Sequence, residues 1–294
     1  MLDKIKQELI EGSENYLILK NGQIIDRSSE DLTLEFKEDL DLKIIHQIDE
    51  DTTINYVVFE NVNLKINELI YSLKDVEVTL NIILKDHANC DYTSLRRSNA
   101  LNIKAKINTY LNESAYLNYK TLNTFESNSV ITENFYLEKI NALVDIKNVL
   151  INSFSKKQDF NINIYHNNKA TISNLMNYGI VKNESTLIIN SRGLIKEGCS
   201  KAEIRQKSKG LLLDEHSTIS ANPLLEIDNY DVVANHGASI GAIDEAELYY
   251  LMSRGLTKDV AEKVIVNGFI NPVLALVKEG KFQEYIISWI NKNI

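Results

Sequence analysis

Cysteine is nearly missing from the 294-residue chain: Cys90 and Cys199 are the only two. They lie far apart, so no disulfide framework is implied, and a reducing compartment would leave both as thiols. Proline is as scarce, at 2, and glycine numbers only 11. Turns must therefore be made mostly by Asn, Asp and Ser, which tolerate left-handed backbone and cap themselves. Positive charge is in deficit, with 32 Lys and Arg against 41 Asp and Glu and a net charge of −9. No broad cationic field exists to hold a nucleic-acid backbone, so no nucleic-acid partner is expected. A run of about 18 apolar residues is also lacking. The opening MLDKIKQELIEGSENY is a short amphipathic pattern without the apolar stretch of a signal peptide. The expectation is a soluble, cytoplasmic protein with no membrane contact. What is present, 44% hydrophobic and 25% charged residues, is the balance of an ordinary globular fold of one large domain or two modest ones.

Leu2, Ile5, Leu9 and Ile10 share one face of a short helix with Asp3 near its start. Tyr16 to Lys20 and Gln23 to Asp26 then flank Asn21-Gly22, the pair that best supplies the two positive φ angles of a type I′ hairpin turn. From about residue 31 to 235 the pattern is many short runs of period two. Examples are Leu32, Leu34, Phe36; Ile54, Tyr56, Val58; Val76 to Leu84; Leu101 to Ile107; Phe160, Ile162, Ile164; and Leu225, Ile227. No helical pattern of useful length interrupts them, which disfavours crossover α/β folds and leaves a sandwich, a barrel or a solenoid. Polar corners in place of Gly- and Pro-rich hairpins favour a parallel β-helix, although no clean rung length can be read.

After residue 236 the period becomes helical. Asp244 is an N-cap, Leu248, Leu251 and Met252 share a face, and Gly255 sits at a helix C-terminus. A second helix is expected from Thr257 to Gly268, and a third from Asn271-Pro272, with Leu274 and Val277 on it. In the last, Phe282, Tyr285, Ile286, Trp289 and Ile290 form an apolar stripe. Leaving that stripe wet would forfeit about 10 kcal/mol, so it must cover either its own neighbours or a partner. The domain reading is 1–30 for the N-terminal helix and hairpin, 31–235 for the β-helix and 236–294 for a C-terminal helical domain.

The usual nucleotide-binding signatures are absent. Gly280-Lys281 has Ala275 where a phosphate-binding loop needs its first glycine and Phe282 where it needs Ser or Thr. G-x-G-x-x-G does not occur, while Gly237-Ala-Ser-Ile-Gly241 has the letters of G-x-S-x-G. His87 and Cys90 are three apart, and in a strand that odd separation points them to opposite faces. Cys199 reads as a small buried thiol, and Lys201, Arg205, Lys207 and Lys209 as a solvated basic ladder. His236 falls where strands give way to helices; a neutral imidazole there suits iron or zinc, but a lone histidine at such a junction is more often a structural hydrogen-bonder.

The stretch around that histidine resembles the SufB/SufD family of iron–sulfur cluster assembly proteins. The resemblance is carried by Asn235-His-Gly-Ala-Ser-Ile-Gly241, Asp244-Glu245, Leu248-Tyr-Tyr-Leu-Met-Ser-Arg-Gly-Leu256, Ala261 and Asn267-Gly-Phe269, with Lys209-Gly-Leu-Leu-Leu213 and Asn222-Pro-Leu-Leu-Glu-Ile227 upstream. It implies a right-handed parallel β-helix flanked by small helical segments, working as a non-catalytic scaffold. It also implies C-terminal helices that bind SufC, an ABC-type ATPase, here through Leu248, Tyr249, Leu251, Met252, Arg254, Gly255, Asn267, Gly268 and Phe269. The β-helix end would pair with a SufB-like scaffold or with a second copy, and sulfur-donor proteins would deliver to the pair.

The sequence is closer to the SufD type. Gly237 follows His236 where SufB-like members carry Glu, Ser208 stands where their cluster cysteine is sought, and Ala234 stands where many SufD-type members have a cysteine. His236 is thus the one carried-over metal-ligand candidate, for a transient iron–sulfur cluster at a subunit interface, with none bound by the isolated chain. Two other readings compete: a homodimeric scaffold of a simpler system, and a β-helical carbohydrate lyase or hydrolase, motivated by the solenoid pattern alone.

Overall fold

The computed structural model describes residues 10, 14–29, 33–275 and 280–293. Leu2, Asp3, Ile5, Leu9, Leu32, Val277 and the Phe282 side chain lie outside the described residues. The first strands are β1 (Tyr16–Lys20), β2 (Gln23–Arg27), β3 (Glu35–Phe36), β4 (Leu40–Ile48), β5 (Thr52–Val58) and β6 (Asn63–Ser72). They are followed by β7 (Val76–Leu84), β8 (Asn89–Ser98), β9 (Asn102–Leu111), β10 (Tyr116–Phe125), β11 (Asn128–Leu137) and β12 (Leu143–Asn152). The last are β13 (Lys157–His166), β14 (Ile172–Val181), β15 (Thr186–Ile195), β16 (Ala202–Leu212), β17 (Thr218–Ile227) and β18 (Val232–Ala242). Three helices close the described chain: α1 (Glu245–Ser253), α2 (Lys258–Leu274) and α3 (Gly280–Asn293).

Successive strands alternate between two sheets. The first holds β1, β2 and the even strands from β4 to β18; the second holds the odd strands from β3 to β17. Apart from the β1–β2 hairpin every pairing is parallel, so the chain winds a β-solenoid of about eight turns. The Asn21-Gly22 turn forms as its sequence predicts, with φ of 48° and 77°, and β1 extends the first sheet by pairing with β4.

Parallel, in-register stacking puts like beside like. One inward column runs Leu40, Leu64, Cys90, Leu117, Val144, Ser173, Ile204 and Ala234. Differences between neighbours in that column are 24, 26, 27, 27, 29, 31 and 30 residues, so rung length drifts upward along the axis and no fixed repeat exists to be read. The extra residues go into corners. At one corner, Asn61, His87, Ser114, Asn141, Ala170 and Lys201 all hold φ between 52° and 61°. Each donates its N–H to a carbonyl of the next rung, from Asn61 to Asp86 through to Lys201 to Asp231. Left-handed backbone without glycine is affordable here because every such residue gains that inter-rung hydrogen bond. His87 is one of these exposed corner residues while Cys90 points into the core, so the two do not converge.

The interior is mostly aliphatic, with a polar spine through its middle. Tyr56 and Tyr92 both donate to the buried Glu68 carboxylate. Burial pushes that carboxyl up, against the lowering effect of the two phenols. Farther along, Arg96 pairs with Glu133 at 2.9 Å and also donates to Tyr119, whose hydroxyl donates to Glu133. Asn148 donates to the other Glu133 oxygen, and Asn177 donates to Ser191 and Ser208.

The first sheet is buried on its outer face too. Ile45, Leu69, Leu95, Leu122, Val149 and Tyr178 form one outward column, and Tyr71, Ile151, Ile180 and Leu211 belong to the next. Val266, Ile270 and Val273 of α2 and Ile286, Trp289 and Ile290 of α3 cover them. The apolar stripe of α3 therefore folds back onto the solenoid. Arg97 fastens it, donating to the Tyr285 hydroxyl and lying over the Trp289 ring. Half-buried Ile10 packs on the same face.

Two boundaries differ from the sequence expectation. Strand β18 continues through Ala242, so the motif at residues 235–241 lies on a strand and the change to helix comes at Glu245. Helix α2 runs unbroken through Gly268 and Asn271-Pro272. The proline ring would crowd the carbonyl four residues back, which belongs to Gly268, and its missing N–H falls close to the helix end, where the loss is small. Nor do the helices form a body apart: α2 and α3 share an apolar cluster with seven strands of the first sheet.

Candidate functional site at the open end of the solenoid

Among the described residues, no further turn follows the last one. Strands β17 and β18 are the terminal strands of the two sheets, each paired on one side only among the described residues. Their inward residues therefore face the open end. Exposed apolar groups collect there: Leu224 and Ile227 on β17, Tyr230 in the corner, and Val233 and Ile240 on β18. Single exposed apolar residues are common, but several on one terminal turn with unpaired strand edges are what an interaction surface presents.

His236 stands on β18 with its side chain in the inward column Leu42, Ile66, Tyr92, Tyr119, Ile146, Leu175, Gln206, His236. Being in the last rung, it is exposed. Gln206 lies directly beneath it and is 3% exposed, with neither amide atom hydrogen-bonded among the described residues. Across the interior, Gly193 of β15 makes room for that amide. A Cβ there would stand 2.8 Å from Gln206 Nε2 and 2.1 Å from Ile204 Cδ1.

Gly237, Ser239 and Gly241 alternate with the inward residues and leave the outer face of β18 nearly bare. Beside it is a groove of about 510 Å³, lined by Met176, Lys147, Arg205 and Lys207 among others. Arg205 is held by Glu203 at 2.6 Å and Lys207 is exposed, so this part of the basic row is solvated, as expected.

No group of three or more His, Cys, Asp or Glu able to hold a metal ion occurs among the described residues. Cys90 and Cys199 are buried free thiols whose pKa burial raises, and Cys199 Sγ lies 3.2 Å from the His166 carbonyl. His236 is the one histidine on the two terminal strands, and neither strand carries a cysteine.

The expected partner-binding residues divide into two sets. Asp244 caps α1 through the backbone N–H groups of Ala246 and Glu247, as its position predicts, and Gly255 ends the helix at φ 97°. No residue of α1 is buried: Tyr249, Met252 and Arg254 are exposed, while Leu248 and Leu251 are half-buried. On α2, Gly268 is exposed, but Asn267 donates to Asn291 of α3 and Phe269 packs edge-on against Tyr178 at 5.5 Å. These two serve packing within the chain. No helix among the described residues is long and apolar enough to cross a membrane.

Residues 54–269 match the family model described as SUF system FeS cluster assembly, SufBD core domain. The chain is 36% identical over 150 residues to the iron–sulfur cluster assembly protein SufD of Bacillus subtilis (strain 168), covering 51% of this chain and 34% of that one. A SufBD family protein of Staphylococcus epidermidis is 26% identical over 229 residues, 76% of this chain and 47% of the relative. SufD of Plasmodium berghei is 22% identical over 288 residues, 85% and 22% of the two chains. The chain thus spans from about a fifth to a half of the length of these relatives.

Proposed function

Because the chain belongs to the SufBD family of SUF-system iron–sulfur cluster assembly proteins, we propose that it is a SufD-like, non-catalytic scaffold subunit. It pairs through its open solenoid end with a SufB-like chain or a second copy of itself. It docks a SufC-like ABC ATPase through its C-terminal helices, and it presents His236 to a nascent cluster carried as cargo between the paired ends. The observation that carries this reading is the last turn, uncovered among the described residues, where unpaired strand edges, exposed apolar side chains and His236 coincide. One imidazole cannot hold a cluster, so thiolates come from the opposite scaffold or from the sulfur donor. Helix α1 joins β18 through Ile243 and Asp244 alone, so a motor gripping its exposed face pulls on the strand that carries His236. ATP-driven closure of two such motors shifts the population of paired ends toward an open arrangement through differential binding.

The test separates the two contacts. Tyr249→Asp with Met252→Asp changes only exposed side chains and is expected to abolish co-purification of the ATPase while leaving the solenoid's circular dichroism intact. Retention of the ATPase at the parental ratio would remove the docking assignment. His236→Ala is expected to lower cluster yield in the purified complex without changing subunit ratios, and an unchanged yield would remove the ligand role. The mass of the purified chain and its partners decides between self-pairing and pairing with a SufB-like scaffold.

A further inference from the structure

A primary amide with no partner at either atom is expensive in a protein core, at about 1–3 kcal/mol for each buried unmade group. Gln206 is in that position: it is 3% exposed, and neither Oε1 nor Nε2 is hydrogen-bonded among the described residues. Its column offers nothing polar below, since Leu175 and Ile146 precede it in register. The next residue above is His236, in register on the adjacent strand and so about 4.8 Å away between backbones. Gly193 opposite gives Nε2 its space, because any side chain there would run into it at 2.8 Å. That places the amide nitrogen toward the second sheet and leaves Oε1 with an unused acceptor.

We propose that Gln206 is the positioning residue of His236: its Oε1 accepts the N–H of one ring nitrogen and turns the other nitrogen, with its lone pair, out of the solenoid mouth. No hydrogen bond joins the two in this structure, and a change of rotamer at the exposed imidazole makes it. The logic is that of metal-ligating histidines generally, whose second ring nitrogen donates to a carbonyl or carboxylate that fixes tautomer and orientation. An imidazole on an uncovered strand would otherwise sample both tautomers and several rotamers. The inference deepens the proposed ligand role of His236, yet its test needs neither iron nor a partner, so the two can fail separately.

The experiment is nitrogen NMR of the full chain labelled with ¹⁵N-histidine, with the His236 signals assigned by their loss in His236→Ala. In the parent, His236 is expected as a single tautomer, one ring nitrogen at the protonated position and the other at the bare position. In Gln206→Leu, which keeps volume in an otherwise apolar column, the two signals should move to averaged positions. Gln206→Glu, which retains an acceptor, should restore the single tautomer. Averaged signals in the parent, or identical signals in the parent and Gln206→Leu, would overturn the proposal, as would averaged signals in Gln206→Glu. Should the leucine variant misfold by circular dichroism, Gln206→Met supplies the same comparison.

Discussion

Lowering the pH from 7 to 5 is expected to destabilise the fold by about 2 kcal/mol at His166 alone. This ring is fully buried between Thr171 and Ser173, with Nδ1 2.8 Å from one hydroxyl and Nε2 2.8 Å from the other. The Thr171 hydroxyl already donates to the Asn168 carbonyl, so it can only accept from Nδ1–H. Nε2 must then accept from Ser173. A second proton on the ring would have to enter at Nε2, where a donor already points. Burial lowers the pKa from 6.5 to about 4, against the raising effect of a hydrogen bond with Thr171. The unfolded chain takes up its proton as pH falls through 6.5, while the folded chain does so only near 4. Stability is therefore complete above the unfolded value and is lost between the two. At pH 5 the histidine lies about 1.5 units into that window, and at about 1.4 kcal/mol per unit the loss is about 2 kcal/mol. The assay is the urea midpoint of the parent and of His166→Gln at pH 7, 6 and 5. Gln keeps hydrogen-bonding capacity without a charge to gain, so the parent should lose about 2 kcal/mol more than the variant across that range. Parallel lines for the two proteins would refute the argument. His46, buried and accepting from the Gly22 N–H at its Nε2, also has its pKa lowered to about 4 by burial and should add a similar loss at the other end of the solenoid.

Removing Arg96 should leave Glu133 charged in a dry interior. Arg96→Met is expected to cost about 3–5 kcal/mol in denaturant unfolding, most of it recovered in the double variant with Glu133→Gln; a cost below about 1 kcal/mol would mean that water reaches the pair. Ala170 holds φ 54° at its corner, so Ala170→Gly should raise stability by about 0.5–1 kcal/mol, read as a higher melting temperature. Trp289→Ala, which uncovers the outer face beside Phe154 and Arg97, should cost about 3–5 kcal/mol and speed hydrogen exchange in β8 and β12.

How far the sequence reached depended on whether a feature was local. Runs such as Val76 to Leu84 alternate cleanly because their inward side chains are aliphatic, and they are strands. Strand β8 was not legible, since its inward positions include Ser94, Arg96 and Ser98, which belong inside only because the polar spine receives some of them. The rung count was hidden by corners that lengthen along the axis. The α3 stripe could be read, but its target could not. Leu69, Leu95 and Leu122 line up only once turns of unequal length are stacked. At the site, His236 was legible through the motif around it, whereas Gln206 looks like any strand glutamine until its amide is found buried without a partner.

The two outer helices act on the solenoid as a lashing does on a coil of rope. Their apolar contacts cross seven consecutive strands of the first sheet, from β4 at Ile45 to β16 at Leu211, and then stop. Any one of those coils can separate only if the binding over it gives way, while among the described residues the strands β17 and β18 place no side chain in that cluster and lean on the coil before them. Stiffness is thus graded along the axis, and fraying begins at the end that presents His236. Compliance sits where a joint between two scaffolds would have to flex, and the body behind it stays rigid.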